Sequence, residues 1–377
     1  MVKDDNKILM IFIEPTPYIL DLIAILNTVW LGQIDILFLK KNFSQDWGLS
    51  IKKNYHLWSN NPFIIIPTLY QRLVKEKYKL IFLAGWIHPV CLTFMILSKF
   101  FGIPVIVDSD TPLFSSTPRW KQIIKRMIYP ILFKMPTMFL PAGKRQANYL
   151  AHYGVPPNKI ILEKMTVDVI EIQRYIRQLK EDSLENFRKR FGLSTDDFVF
   201  LFVGRLIERK GIKELLQAFS KINRRQAKLI IVGDGPLKLY VEHVSKNSSY
   251  LHYAGRLEKQ ALFDMYFISN VFILPAHWEP WGLVINEAMA AGKPVIVSDQ
   301  LGCIDDLVIP WKTGLIVKNK SIDEIIESIV YFMDHPKQYL DMSKNALQHM
   351  AHWTLNDEAT QICIAFRNVI SEYALYT

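Results

Sequence analysis

Cysteine is scarce in this chain. Its 377 residues hold three, Cys91, Cys303 and Cys363, scattered and odd in number. They offer neither a disulfide framework nor a metal-ligand spacing, and they fit a reducing compartment. A hydrophobic run of membrane length is also missing. The longest apolar region, 90–107, is broken by Lys99, Gly102 and Pro104. It predicts a buried helix followed by a buried strand, not a membrane span. The N-terminal segment Met1-Val2-Lys3-Asp4-Asp5-Asn6-Lys7 has acidic residues and no small-residue cleavage site. It does not read as a secretory signal, and the expected location is cytoplasmic. Tandem repeats and low-complexity tracts are absent as well.

Acidic residues are short in one half only. Residues 1–190 carry 26 Lys+Arg against 15 Asp+Glu, whereas residues 191–377 carry 19 against 21. A basic N-terminal half points to an anionic partner: a lipid surface, a phosphorylated acceptor or nucleic acid. No RNA-module motif and no basic strand interleaved with aromatics supports nucleic acid.

Short apolar runs alternate with amphipathic ones along the whole chain. Strands are expected at 7–13, 34–39, 62–66, 79–84, 104–108 and 136–140, then at 198–204, 228–233, 250–254, 271–275, 294–298 and 314–317. Helical patterns fill the intervals. This alternation implies α/β architecture with parallel sheets covered on both faces. The charged stretch 170–195 reads as the linker. Two domains are expected: 1–178, joined by a long last helix crossing back at about 357–377, and 196–356.

The chemistry-bearing residues gather where strands end. Phe200-Leu201-Phe202-Val203 runs into Gly204, then Arg205 and Lys210, before Gly211 opens a helix. Two cations at the carboxyl edge of a parallel strand suit a diphosphate. Val232-Gly233-Asp234-Gly235-Pro236 is a glycine turn that lacks the third glycine of a dinucleotide fingerprint. Tyr253-Ala254-Gly255-Arg256-Leu257 is a further strand end. Glu279 and Glu287 stand eight positions apart in His277-Trp278-Glu279-Pro280-Trp281-Gly282-Leu283-Val284-Ile285-Asn286-Glu287. One Glu falls in a loop and the other about one turn into a helix. The helix start between them can hold an anion on backbone N–H groups.

In this order and spacing the runs resemble family 4 of the retaining glycosyltransferases. The resemblance is strong over 198–317 and weaker over 1–170. It implies the GT-B fold: two Rossmann-like domains facing each other across a cleft. It also implies front-side transfer of a sugar, with retention, from a nucleotide-diphosphate sugar (UDP- or GDP-linked) to a glycan or lipid-linked acceptor. No cofactor or metal is implied. Arg205 and Lys210 would grip the diphosphate. Glu287 would bind the ribose hydroxyls. Glu279 would contact the transferred sugar, with the N–H groups of Gly282, Leu283 and Val284 near it. Backbone at Gly204, Gly233 and Arg256-Leu257 would frame the rest of the nucleotide.

Two departures fall in the N-terminal half. The loop after the first strand, Glu14-Pro15-Thr16-Pro17-Tyr18, has no glycine, and Asp110 stands where many members place a histidine. Tyr18 and Asp110 are the candidates for the sugar or acceptor side; capping the next segment is the other reading of Asp110. Asp108-Ser109-Asp110 is a D-x-D, but it lies away from the nucleotide-type motifs and reads as coincidental. Finally, 119–134 mixes five Lys/Arg with Trp, Ile, Met and Phe and has no acid. It fits either a core-packing helix with a solvated basic edge or a helix lying on an anionic membrane. Rival readings are a nucleotide-sugar epimerase or glycan synthase of similar architecture and a non-enzymatic anionic-lipid or nucleic-acid binder.

Overall fold

The computed structural model describes residues 6–40, 55–57, 62–113, 118–179 and 181–374. The chain forms two compact units, Met1–Met165 with Leu355–Thr377, and Thr166–Thr354.

The first unit contains β1 (Lys7–Phe12), β2 (Gln33–Phe38), β3 (Tyr55–Leu57), β4 (Leu80–Ala84), β5 (Val105–Ser109) and β6 (Met138–Pro141). They form one sheet in the order β3-β2-β1-β4-β5-β6, every pair parallel. Because side chains alternate along a strand, β1 feeds both faces. Leu9 and Ile11 join one buried cluster with Phe94 and Phe139. Ile8, Met10 and Phe12 join another, with Phe366 and Val369 from the last helix, Leu355–Ala374. Trp30 meets Phe366 edge-on at 5.5 Å. Burial on both faces is why these strands are apolar at nearly every position.

The second unit contains β7 (Phe198–Val203), β8 (Ala227–Val232), β9 (Leu251–Gly255), β10 (Val271–Leu274), β11 (Val295–Ser298) and β12 (Gly314–Val317). Their order, β12-β11-β10-β7-β8-β9, repeats that of the first sheet. In each unit the chain reverses its direction of travel across the sheet beside the first strand. Such switch points leave a crevice at the carboxyl ends of the strands, where doubly wound sheets bind ligands.

The structure corrects two local expectations and adds two short elements. Residues 62–66, expected as a strand, begin the helix Pro62–Glu76. A short Ile run cannot by periodicity alone choose between strand and buried helix, and proline at the first helical position suits a helix start. The charged stretch 170–195 is largely helical, as Val169–Gln178 and Glu181–Arg190. Asp168 caps the first of these, accepting from the Glu171 N–H at 2.8 Å, while Val169 and Ile172 are buried. The charges there mark a solvated helix face, and Tyr175 ties the helix to Asp264 of the second unit at 2.8 Å. β3 and a single-turn helix at Ile304–Leu307 had no clear signal in the sequence.

Candidate active site

The turn leaving β7 is shaped by glycine. Gly211 has φ +71°, and a Cβ there would lie 2.0 Å from the Pro275 carbonyl oxygen at the end of β10. Only glycine lets the two strand ends approach so closely. A 3-10 turn, Glu208–Lys210, precedes it. His277 N–H donates to the Arg209 carbonyl at 2.8 Å and fastens this turn to the loop after β10.

That approach brings Lys210 onto Glu279. Lys210 Nζ lies 2.6 Å from Glu279 Oε2, and Arg209 Nη1 lies 2.9 Å from the same oxygen. The Lys210 side chain is 10 % exposed and that of Glu279 14 %. Burial pushes the Lys210 pKa down, against the pull of Glu279. Arg209 also donates to the Trp278 carbonyl at 3.0 Å and stacks over the Trp278 ring at 4.2 Å, a cation–π contact. The backbone of Glu279 is pinned on both sides: its N–H donates to Gln300 O and its carbonyl accepts from Gly302 N–H. Arg205, by contrast, is exposed. The cation beside Lys210 on Glu279 is therefore Arg209, which motif spacing did not single out.

Gly282, with φ +110°, caps the helix Leu283–Ala290. A Cβ on Gly282 would lie 3.6 Å from Glu279 Cγ, so this helix start adjoins the Glu279 side chain. The loop before it is held from inside. Trp281 Nε1–H donates to Asn286 Oδ1 at 3.0 Å, and Asn286 donates to Thr166 Oγ1 at 3.2 Å. Glu287, one turn into the helix, accepts a 2.7 Å hydrogen bond on Oε2 from the Tyr266 hydroxyl. Part of Glu287 stays open to the surface. Surrounding protein nevertheless pushes its pKa to about 7; the Tyr266 bond and the Lys259 charge work against that rise. Tyr266 is wholly buried and carried no signal in the sequence beyond being aromatic in a helix.

The glycine turn after β8 is explained by packing. A Cβ on Gly233 would lie 1.9 Å from Gly204 O, and one on Gly235 would lie 2.6 Å from Leu206 O. Both glycines let this turn lie against the turn after β7. Tyr253 O–H bonds Gly233 O at 2.9 Å, which ties in the end of β9. Arg256 is exposed and Leu257 half-buried just beyond. Gly204, Lys210, Glu279, Gly282 and Gly233 thus cluster at the carboxyl ends of β7, β8 and β10. Leu283, Val284 and Glu287 follow on the adjoining helix.

Tyr18 and Asp110 lie in the other unit. Burial, with Asp110 and Asp108 nearby, pushes the Tyr18 hydroxyl up to about 12, while a hydrogen bond with Thr16 opposes it. Asp108 and Glu163 hydrogen-bond each other, and burial raises both carboxyls, Glu163 further under the charge of Asp108. Two carboxyls in contact cannot both ionise cheaply, so the pair holds a proton near neutrality. Among the described residues no group of three or more His, Cys, Asp or Glu is arranged to hold a metal ion.

The fold is that of GT-B glycosyltransferases, two Rossmann-like α/β units with parallel sheets. The chain matches the structure of Anabaena Alr3699/HepE in complex with UDP with a TM-score of 0.77 at 15 % identity, over 96 % of this chain and 100 % of that one. Residues 183–349 match the family model described as Glycosyl transferases group 1. An uncharacterized glycosyltransferase of Methanocaldococcus jannaschii, MJ1607, is 37 % identical over 177 residues, 46 % of this chain and 44 % of that protein. The match thus spans less than half the length of that relative. The N,N'-diacetylbacillosaminyl-diphospho-undecaprenol alpha-1,3-N-acetylgalactosaminyltransferase of Campylobacter jejuni is 23 % identical over 338 residues, 86 % of this chain and 88 % of that one.

Proposed function

We propose that the protein is a glycosyltransferase that moves a sugar, with retention, from a nucleotide-diphosphate sugar to a glycan or lipid-linked acceptor. The observation that carries this reading is the contact of Lys210 and Arg209 with Glu279 beside the start of the Leu283–Ala290 helix. Two cations and a row of N–H groups converge there, as a diphosphate requires. On donor binding the diphosphate takes the cations as counter-ions in exchange with Glu279, which turns to the sugar hydroxyls. Arg205 adds a further cation from the exposed turn. Glu287 accepts from the ribose hydroxyls, backbone at Gly233 and Arg256-Leu257 frames the base, and Gly204 adds to the donor side. As the glycosidic bond breaks, negative charge grows on the leaving phosphate, and the cations and N–H groups stabilise it. That phosphate then takes the acceptor hydroxyl proton. Tyr18 and Asp110 belong to the acceptor or sugar side. The acceptor is a component of surface polysaccharide or glycolipid assembly at the inner face of the cytoplasmic membrane.

A thermal-shift screen with UDP-, GDP- and ADP-sugars tests donor binding. A ligand at 100 times its Kd adds about 2.7 kcal/mol. No stabilisation by any of them sinks the proposal. Incubation with the labelled donor that binds then separates transfer to acceptor from an isomerised donor, the product of an epimerase. Turnover should survive EDTA; complete loss restored by Mn2+ would replace cationic side chains with a metal in this role.

Tyr266→Phe tests how Glu287 is set. The Tyr266 hydrogen bond favours the carboxylate and lowers its pKa, so its loss should raise the pKa above about 7. Donor KM should rise several-fold near neutral pH, where the hydrogen bond is worth roughly 1 kcal/mol, and recover toward wild type at higher pH. A KM increase independent of pH would assign Tyr266 a purely packing role.

A further inference from the structure

The helix Arg119–Leu132 has no buried residue. Trp120, Ile123, Ile124, Met127, Ile128 and Ile131 recur at the spacing of one helical face. All six are exposed, Trp120 at 61 %, Met127 at 70 % and Ile131 at 68 %. The apolar stripe therefore points away from the protein, the reverse of a core-packing helix. The other side of the helix is what holds it. Tyr129 and the following Phe133 pack in a nest of rings: Tyr129 lies 5.1 Å from Tyr153 and 6.0 Å from Trp86, and Phe133 lies 5.0 Å from Trp86. Lys125 Nζ bonds the Tyr149 hydroxyl at 3.1 Å. The helix is thus packed on one face and presents an exposed apolar face on the other.

We infer that this face docks on an anionic lipid bilayer, inserting its apolar stripe at the level of the acyl boundary. Charge selects this occupant. Arg119 and Arg126 flank the stripe on one side and Lys121 on the other by helical position. Between residues 118 and 134 there are five Lys/Arg and no acid. Cations bordering an outward apolar stripe match the headgroup layer above hydrocarbon. A second copy, paired about a two-fold axis, would instead set the same cations against each other. No helix among the described residues is long and apolar enough to cross a membrane; a short helix with an apolar stripe bordered by cations lies in the plane of the interface. This inference is independent of the glycosyl-transfer reading, since it uses no residue of the donor site.

Co-sedimentation of the full chain with vesicles tests it, using phosphatidylcholine alone against phosphatidylcholine with about 30 mol% phosphatidylglycerol. Binding should require the anionic lipid and weaken as salt rises past ~0.1 M, where the Debye length falls below about 10 Å. Lys121→Gln/Arg126→Gln should weaken it roughly five-fold per cation. Met127→Glu/Ile131→Glu should weaken it at least ten-fold, roughly, by removing the inserted stripe. These positions are exposed, so both variants should melt like wild type and keep wild-type nucleotide-sugar binding and turnover of a soluble acceptor. Failure of wild type to bind anionic vesicles at low salt would overturn the inference. So would equal binding by Met127→Glu/Ile131→Glu, or a monomer–dimer equilibrium in ultracentrifugation that this variant abolishes. Loss of donor binding in wild type would count against the reaction and leave the vesicle result standing.

Discussion

Lys210→Ala should lower kcat by about 10²–10³-fold. Lys210 Nζ sits 2.6 Å from Glu279 Oε2 with its side chain 10 % exposed. A cation so shielded from water acts on a nearby growing charge far more strongly than a surface lysine does. It is also already in place, so little reorganisation accompanies the reaction. Two effects must be separated. Removing Lys210 takes one of two cations from a largely buried carboxylate, and breaking a buried pair can cost about 3–5 kcal/mol of stability. Arg209, 2.9 Å from the same oxygen, offsets part of that. Lys210→Ala/Glu279→Gln removes the stranded charge as well. The double variant should regain most of the melting temperature, while its kcat stays well below that of Glu279→Gln alone. If its kcat instead matches that of Glu279→Gln, Lys210 serves the fold and not the leaving diphosphate. Arg205→Ala should lower kcat less, because an exposed guanidinium is screened by water.

Glu287→Ala should raise donor KM about 10–100-fold with little change in kcat, the scale of hydrogen bonds to a charged group. On the proposed reading Glu287 meets the ribose equally before and during reaction, so loss of that contact is uniform. The pH dependence carries more information. Burial holds the Glu287 pKa at about 7, above the ordinary value of 4.5. Only the carboxylate offers acceptors alone to two neighbouring hydroxyls. Wild-type donor KM should therefore rise as pH falls through about 7, and the alanine variant should lack that rise. A wild-type KM flat from pH 6 to 8 (roughly one unit either side of this pKa) would argue against Glu287 as the ribose ligand.

The same raised pKa bears on stability, with the sign opposite to that of a salt-bridged acid. Between the ordinary value and about 7 the folded protein keeps the Glu287 proton that the unfolded chain has released. Its contribution is fully present at low pH, declines as pH rises across this window, and is level above it. The loss is at most about 3 kcal/mol. Glu287→Gln should flatten that part of the curve of melting temperature against pH, measured without nucleotide.

Much of the fold was legible because its signals are local. Apolar runs such as Phe198–Val203 and Val271–Leu274 name strands, and Gly211 and Gly282 mark positions with positive φ. The candidate site was legible in part for the same reason. Lys210 and Glu279 each lie just past a strand of the same sheet, β7 and β10, which pair in parallel, so their meeting follows from the topology. The misreadings share an opposite cause. The Ile run at 62–66 and the charges of 170–195 belong to helices, and a short window does not show which neighbours cover which side.

By itself the sequence determined the α/β alternation, the strand ends that bear charge, and the glycine turns beside them. Period and backbone freedom are properties of a few adjacent residues, so they can be read without contacts. Only the tertiary structure decided that Arg209 rather than Arg205 joins Lys210 on Glu279, and that Tyr266 holds Glu287. It also decided that the helix at Arg119–Leu132 turns its apolar face outward. Each of these depends on residues far off in the chain: Trp278 beneath Arg209, Tyr266 from another helix, Trp86 and Tyr153 against Tyr129. A side chain's spacing states which face it lies on, but what packs against the opposite face decides where that face looks.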